Sequence, residues 1–339
     1  MNQFKKVRLI FNPKSGAFRD TFLQVLVKRI FGVRDRSDTL QNKSPEEILN
    51  RIVDCLTRFG ISVDKVMTQR SGEASAIAQR SAEENYDLVI VAGGDGTIHE
   101  VINGLVGSRT ILGVIPFGTA NIYALETGVP LEIEKACELI VQGEINEIDL
   151  GKVSTRKEQR YFLCMVGIGF DADIVKHVQS RFKKIMGVLA FPVVGFKRVF
   201  SYPFRVIKVF VDGKTTLQKG YILIVGNTKY YGGGMMLSNI AQITDGLLDA
   251  CLFKQRGFFN VLGYVQGLRT GTIQKFPDVH CFQCQKIQIV GRWPHDIQLD
   301  GEYFGHTPAT IEIVPHALRA IMPRKLAGNM VTNRANNSL

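Results

Sequence analysis

The chain has 339 residues, 45% of them hydrophobic and 22% charged, which supplies two domains with their own cores and excludes a disordered chain or a small disulfide scaffold. Its formal charge of +11 is unevenly placed: residues 1–150 hold 17 Lys and Arg against 20 Asp and Glu, and residues 151–339 hold 25 against 11. A basic second half suits a dense phosphate surface, either nucleic acid or an anionic bilayer.

In chain order, the first half alternates short β-rich runs with longer helical patterns, as parallel α/β units do. Val7–Phe11 reads as a strand running into Asn12-Pro13-Lys14-Ser15-Gly16. Pro45 to Phe59 has helical spacing, Val63 to Met67 is a strand, and a helix follows from about Glu73 to Glu84. Asp87 to Val91 is the next strand and ends in Gly93-Gly94-Asp95-Gly96-Thr97, which opens a helix to about Val106. Thr110 to Ile115 is another strand, followed by Pro116-Phe117-Gly118-Thr119-Ala120-Asn121 and a further helix.

From about Asp149 the pattern changes to strands separated by turns: Tyr161–Val166, Phe204–Val211, Leu217–Val225, Leu247–Phe253, Lys286–Val290, His295–Leu299 and Ala309–Val314. That spacing predicts an antiparallel sandwich interrupted by helices near 173–200 and 256–268. Met322 to Leu339 has no periodicity and reads as a frayed tail. No run reaches the about 18–20 apolar residues of a spanning helix. Six scattered cysteines and a start, MNQFKKVRLIF, without a long apolar stretch lead us to expect a reducing, cytoplasmic setting. The single C-x-x-C at Cys281 and Cys284 reads as buried or edge-strand thiols, since no second pair stands at zinc-ligand spacing.

A strand, glycine loop and helix in succession collect free backbone N–H groups at the positive end of the helix dipole, and glycines let that backbone lie against a phosphate. Gly93, Gly94 and Gly96 therefore make an anion seat, with Thr97 able to cap the helix or donate to a phosphate oxygen. Asp95 is the odd member. It fits beside phosphate if Mg²⁺ or a donor-rich network lies between them, and otherwise caps the helix in a tight turn. No G-x-x-x-x-G-K-[ST] occurs. Gly167-Ile168-Gly169-Phe170-Asp171-Ala172 fits G-x-G-x-x-A, but the following residues turn basic instead of supplying a ribose-binding acid, so dinucleotide binding there is discounted.

Six segments taken together resemble the diacylglycerol kinase catalytic family, which includes sphingosine kinases and bacterial soluble lipid kinases. They are Asn12 to Gly16, Gly93 to Thr97, Pro116 to Asn121, Gly167 to Asp171, Thr244 to Asp249, and Asp300-Gly301-Glu302, in family order between about residues 5 and 323. The resemblance implies a Rossmann-like three-layer α/β nucleotide-binding domain over 1–148 and an antiparallel β-sandwich lipid-substrate domain over 149–323. The last strand is left free to return to the first domain, residues 324–339 form a flexible tail, and the active site lies in the cleft.

It further implies that Asn12, Pro13, Lys14, Ser15, Gly16, Thr68, Gly93, Gly94, Asp95, Gly96, Thr97, Glu100, Gly118, Thr119 and Asn121 bind ATP. Asp245, with backbone carbonyls near Gln242 and Leu247, matches the family's second, structural Mg²⁺ site. The family follows its G-T-x-N with Asp-Phe-Ala-Arg, whereas this chain reads Asn121-Ile122-Tyr123-Ala124-Leu125, so roles for an acid at 122 or a base at 125 do not transfer. Asp-Gly is the commonest hairpin signal, and alone Asp300 reads as a turn residue. An alcohol nucleophile must lose its proton, however, and the resemblance makes Asp300-Gly301-Glu302 the site of the general base, with Asp300 and Glu302 both open.

Val175 to Phe200 combines Lys176, Arg181, Lys183, Lys184, Lys197 and Arg198 with an apolar middle, as a helix on an anionic membrane would; a core helix with a solvated basic face reads almost the same. Tyr230-Tyr231-Gly232-Gly233-Gly234 reads as cleft wall or core. These readings lead us to expect a cytoplasmic, peripherally membrane-associated ATP- and Mg²⁺-dependent lipid kinase, with Asp95, Asp300 and Glu302 as catalytic carboxylates. No nucleic-acid partner is expected, and the oligomeric state, a homodimer included, stays open. An NAD kinase and a non-catalytic anionic-lipid binder are the competing readings.

Overall fold

The computed structural model describes residues 4–15, 43–178, 190–214 and 218–324; Gly16, the basic stretch 179–189 and the tail from 325 lie outside them. The described residues fall into two compact units, one formed by 4–15, 43–147 and 318–324, the other by Ile148–Ala317.

The first unit opens with β1 (Val7–Phe11). Helix α1 (Pro45–Arg58) starts where its sequence dictates. Ser44 accepts from the Glu47 amide, the Glu47 carboxylate accepts from the Ser44 amide, and Pro45 takes the first helical position, where its missing N–H costs nothing. Its apolar face, Ile48, Ile52, Cys55 and Leu56, is buried in the core. Then come β2 (Asp64–Met67), α2 (Glu73–Glu83), β3 (Leu88–Gly93), α3 (Asp95–Leu105), β4 (Ile111–Pro116), α4 (Ile122–Thr127) and α5 (Ile133–Gln142). The four strands pair in parallel in the order β2-β1-β3-β4, with Phe11 opposite Met67 and Ala92 and Gly93 opposite Pro116. β3 and β4 are buried at every position, as parallel strands covered on both faces must be. The end of the chain's last strand joins this sheet beside β4, Ala320 opposite Leu112.

The second unit holds two sheets. The chain enters it within β5 (Glu144–Thr155), followed by β6 (Gln159–Phe162), β7 (Met165–Gly169), α6 (Phe170–His177), α7 (Ala190–Ser201) and β8 (Ile207–Val211). Next come β9 (Gln218–Gly220), β10 (Ile222–Gly226), the short pair β11 (Tyr230–Tyr231) and β12 (Met235–Met236), and β13 (Leu248–Phe253). Helix α8 (Phe258–Thr270) precedes β14 (Val279–Cys284), β15 (Lys286–Val290), β16 (Asp296–Leu299), β17 (Glu302–His306) and β18 (Ala309–Met322). One sheet is antiparallel in the order β14-β13-β10-β7-β16-β17; in the other, β18-β15-β8-β9 run side by side, with β5 pairing β18 and β6. Val166, Ile168, Leu223 and Val225 of the first sheet share one core with Val209, Ile287, Ile289 and Ile311 of the second, which is the predicted sandwich.

Several sequence expectations are corrected here. The run Tyr161–Val166 is two strands, β6 and β7, with a break at Leu163 and Cys164, and Leu217–Val225 is split into β9 and β10, which belong to different sheets. β5, twelve residues long, is absent from the strands expected of the sequence. Cys251 and Cys281 are not free thiols. They face each other across β13 and β14 and are joined as a disulfide, whereas Cys284 is a buried thiol.

Candidate active site

In the first unit the loops after β1, β2, β3 and β4 all leave the carboxyl ends of parallel strands, where open α/β sheets bind ligands. Gly93 closes β3, Gly94 is the N-cap of α3, and Asp95 is its first residue. The Phe117 amide donates to the Gly93 carbonyl at 2.7 Å, drawing the loop after β4 against this turn. The approach is backbone on backbone: a Cβ added at Gly118 would stand 2.8 Å from the Gly94 Cα, and one at Gly94 would stand 3.0 Å from the Gly118 Cα. Glycine is required at both positions for that reason.

Side chains fix the turn from each neighbouring loop. Asn12 donates from Nδ2 to Thr97 Oγ1 at 2.8 Å and accepts from the Lys14 amide, and Ser15 Oγ accepts from the Gly94 amide at 3.3 Å. Asn121, held at φ 49°, closes a ring on Gly118: its Oδ1 accepts from the Gly118 amide and its Nδ2 donates to the Gly118 carbonyl. Asp95 Oδ1 accepts from the Tyr123 amide at 3.3 Å, at the start of α4. The Gly96 amide, second in α3, has no backbone acceptor among the described residues and is an open donor, as helix N-termini provide.

Of the remaining expected nucleotide ligands, Thr68 is buried with its amide on the Phe11 carbonyl, while Lys14 is exposed and reaches the Gln69 carbonyl. Pro13 and Thr119 are partly exposed beside these loops. Glu100 turns the other way: its carboxylate accepts from the amides of Gly72 and Ala74 and from Ser71 Oγ, tying down the start of α2.

In the second unit, Asp300 and Gly301 form the two-residue turn between β16 and β17, at φ 47° and 82°. The Asp300 carboxylate accepts from three main-chain amides, Leu163 at 2.8 Å, Cys164 at 2.9 Å and Met165 at 2.8 Å. Glu302, the first residue of β17, is half-buried, and its carboxylate has no hydrogen-bond or ion-pair partner among the described residues. The same turn is held by residues that sequence reasoning missed. Gln298 accepts from the Gly301 amide at 2.8 Å and donates to Asp171 at 2.8 Å, and the Tyr231 hydroxyl also donates to Asp171. Burial pushes the Asp171 carboxyl up to about 6, with the Gln298 bond opposing it. The available signal is the Gly167 to Asp171 motif, whose residues on their own suggest only a dinucleotide loop.

Asp245 belongs to the turn over 243–246. Its carboxylate accepts from the Leu247 amide at 3.0 Å and is pushed up to about 6, chiefly by burial and further by the charges of Asp249 and Asp149. Asp149, fully buried and also missed, accepts from the amides of Gly246 and His316 and so fixes the 245–246 turn. Among the described residues no three His, Cys, Asp or Glu side chains converge as a metal cluster.

No described helix is long and apolar enough to cross a membrane. One face of the second unit is nevertheless strongly apolar. Phe196 and Phe200 on α7 and Phe259 and Leu262 on α8 are 59%, 68%, 84% and 55% exposed, and Phe258 packs against both α7 rings at 5.2 and 5.7 Å. Of the basic residues expected to serve that surface, Arg198 is committed to Asp173 through two bonds and Lys176 to Asp296, which leaves Lys197 open among the described ones.

Residues 38–153 match the family described as Diacylglycerol kinase catalytic domain, and residues 164–322 match the YegS C-terminal NAD kinase beta sandwich-like domain. Similar proteins include a Diacylglycerol kinase of Staphylococcus saprophyticus subsp. saprophyticus, 27% identical over 327 residues, 95% of this chain and 97% of the relative. Another, of Staphylococcus aureus strain JH9, is 26% identical over 332 residues, 97% of this chain and 96% of the relative. A crystal structure from Bacillus anthracis str. Sterne shares the fold with a TM-score of 0.74 at 24% identity, covering 96% of this chain and 97% of that one.

Proposed function

We infer that this chain, whose residues 38–153 match the Diacylglycerol kinase catalytic domain and whose residues 164–322 match the YegS C-terminal domain, transfers the γ-phosphate of ATP to the hydroxyl of a diacylglycerol-like lipid. The observation that carries the reading is the glycine seat, where Gly94 and Gly118 meet backbone to backbone and the Gly96 amide at the start of α3 is an open donor among the described residues. Asn12, Ser15, Thr97 and Asn121 hold that seat in shape for the phosphates. Preorganised donors of this kind stabilise charge that builds up on the transferring group without having to reorganise.

Glu302 is the base of this reading. Its carboxylate is uncommitted among the described residues, whereas that of Asp300 already accepts from three amides. Glu302 takes the hydroxyl proton as the lipid oxygen bonds to the γ-phosphorus, and the bond from that phosphorus to the ADP oxygen breaks. Asp245 also suits a Mg²⁺ ion: it is half-buried, the charges that raise it, Asp249 and Asp149, are negative, and it would hold the ion together with carbonyls of Gln242 and Leu247. A Mg²⁺ bound there would brace the turn at Asp245 and Gly246. Asp95 sits at the seat itself, where it orients α4 and stands ready for the cation that accompanies ATP.

The acceptor resides in a bilayer, and the Phe196, Phe200, Phe259 and Leu262 face supports contact with an anionic membrane, its rings entering the interface while Lys197 meets headgroups. On this reading the enzyme is cytoplasmic and peripheral, in phospholipid metabolism. The test is incubation with ATP, Mg²⁺ and phosphatidylglycerol vesicles carrying diacylglycerol. Phosphate should enter the lipid fraction, and Glu302→Gln should lower the rate by about 10²-fold or more. Phosphate appearing on NAD instead would favour the nucleotide acceptor that the second domain's description suggests.

A further inference from the structure

We propose that Asp171 and Gln298 are a positioning pair that sets the turn presenting Glu302, an inference that rests on reading Glu302 as the base. Gln298, on β16, is 1% exposed, and both ends of its amide are used. A main-chain N–H can only donate and an ionised carboxylate can only accept, so the Gln298 amide has a single allowed orientation: Oε1 to Gly301 and Nε2 to Asp171. Asp171 is steered in turn by the Tyr231 hydroxyl. The chain from Tyr231 through Asp171 and Gln298 to the Gly301 amide thus joins β11, α6 and β16 to one peptide of the turn.

The backbone is cut to make room for this contact. Gly167 of β7 lies directly opposite Gln298, and a Cβ there would fall 1.7 Å from Asp171 Oδ2 and 2.7 Å from Gln298 Nε2. The first residue of the turn is anchored separately: the Asp300 amide donates to the Met165 carbonyl, and its carboxylate takes three amides of the 163–165 segment. Both residues preceding Glu302 are therefore fixed by partners outside the turn, while the Glu302 carboxylate itself has no partner among the described residues. A base held this way loses rate when its support loosens, because small misplacements of a reacting group cost far more in turnover than in ground-state binding.

The experiment exchanges the two functional groups. Asp171→Asn and Gln298→Glu are made singly and together in the full chain, and kcat, KM for ATP and melting temperature are measured on diacylglycerol in phosphatidylglycerol vesicles. Gln298→Glu alone sets two carboxylates against each other, and Asp171→Asn alone frees the amide to flip. Each should lower kcat about 10-fold or more with KM for ATP within about 2-fold. In the double variant the amide now at position 171 accepts from Tyr231 and donates to the carboxylate now at position 298, which still accepts from Gly301, so kcat should return to within about 5-fold of the parent. Single variants that keep full kcat overturn the proposal. A double variant that does not fold, or that melts like the parent without recovering kcat, also overturns it, and should the singles not fold the double variant decides alone. Glu302→Gln run in parallel separates the two readings: full activity there removes the base assignment, whereas its loss beside unaffected pair variants removes only this inference.

Discussion

Asp300 and Glu302 share one hairpin turn, yet the Asp300 carboxylate accepts from the amides of Leu163, Cys164 and Met165 while that of Glu302 has no partner among the described residues. The two should therefore fail differently. Asp300→Asn removes the charge from three charge-assisted bonds and should cost about 2–4 kcal/mol of stability, read as a lower melting temperature or denaturant midpoint. Glu302→Gln should melt like the parent and lose turnover. An Asp300→Asn protein of parental stability would contradict the anchoring role.

The same pair shows what could be read in the sequence and what could not. The strand–turn–helix junction at Gly93 to Thr97 was legible because its signal is local: an apolar run, three glycines in four residues and an amphipathic segment, all inside one βα unit. Helix α1 was legible through Pro45 and its spacing for the same reason. The break between β6 and β7 was not, because Leu163 to Met165 point their amides at a carboxylate 135–137 residues away. Asp300 could be read as a turn and as a carboxylate, but only the fold says which amides it holds. Asp171 and Gln298 are 127 residues apart, and the Cys251 pairing with Cys281 depends on strand register across 30. Periodicity carries no information at those distances.

Gly118 allows a direct test of the seat. An added Cβ would stand 2.8 Å from the Gly94 Cα and 2.9 Å from Asn121 Oδ1, both parts of the structure that hold the two loops together. Gly118→Ala should cost about 1–3 kcal/mol of stability by overpacking. It should also weaken ATP binding in calorimetric titration by about 10-fold or more, since the open Gly96 amide is displaced with the turn that carries it. Unchanged ATP affinity would mean that the phosphates do not sit there. Gly107, at φ 79° with nothing within 4 Å of an added Cβ, is the control position, where alanine should leave affinity alone.

The aromatic face predicts where the protein meets lipid. Replacing Phe200 and Phe259 by Ser should lower partition onto phosphatidylglycerol vesicles by about 10-fold or more in a sedimentation assay, because burying each exposed ring in the interface contributes about 2 kcal/mol. Turnover on a short-chain diacylglycerol dissolved below its micellar limit should be retained. Arg198→Gln offers a contrast: its guanidinium is engaged by Asp173, so the loss should appear in stability more than in vesicle binding. Equal partition by the Phe variants and the parent would place the membrane contact elsewhere.

Asp171 supplies a pH test that does not depend on activity. Its carboxyl is pushed up to about 6 by burial, above its ordinary value of 3.8. Between those values the folded chain holds a proton that the unfolded chain has released, so this group's contribution to stability falls as pH rises through the window, by at most about 1.4 kcal/mol per pH unit. Below about pH 4 both states are protonated and the effect vanishes; above about pH 6 both are ionised and the full penalty remains. Asp171→Asn carries no such proton. The melting temperature of the parent minus that of the variant should therefore shrink from pH 4.5 to pH 7. A difference that stays constant, or grows with pH, would show that Asp171 is already ionised at low pH and that its two donors outweigh its burial.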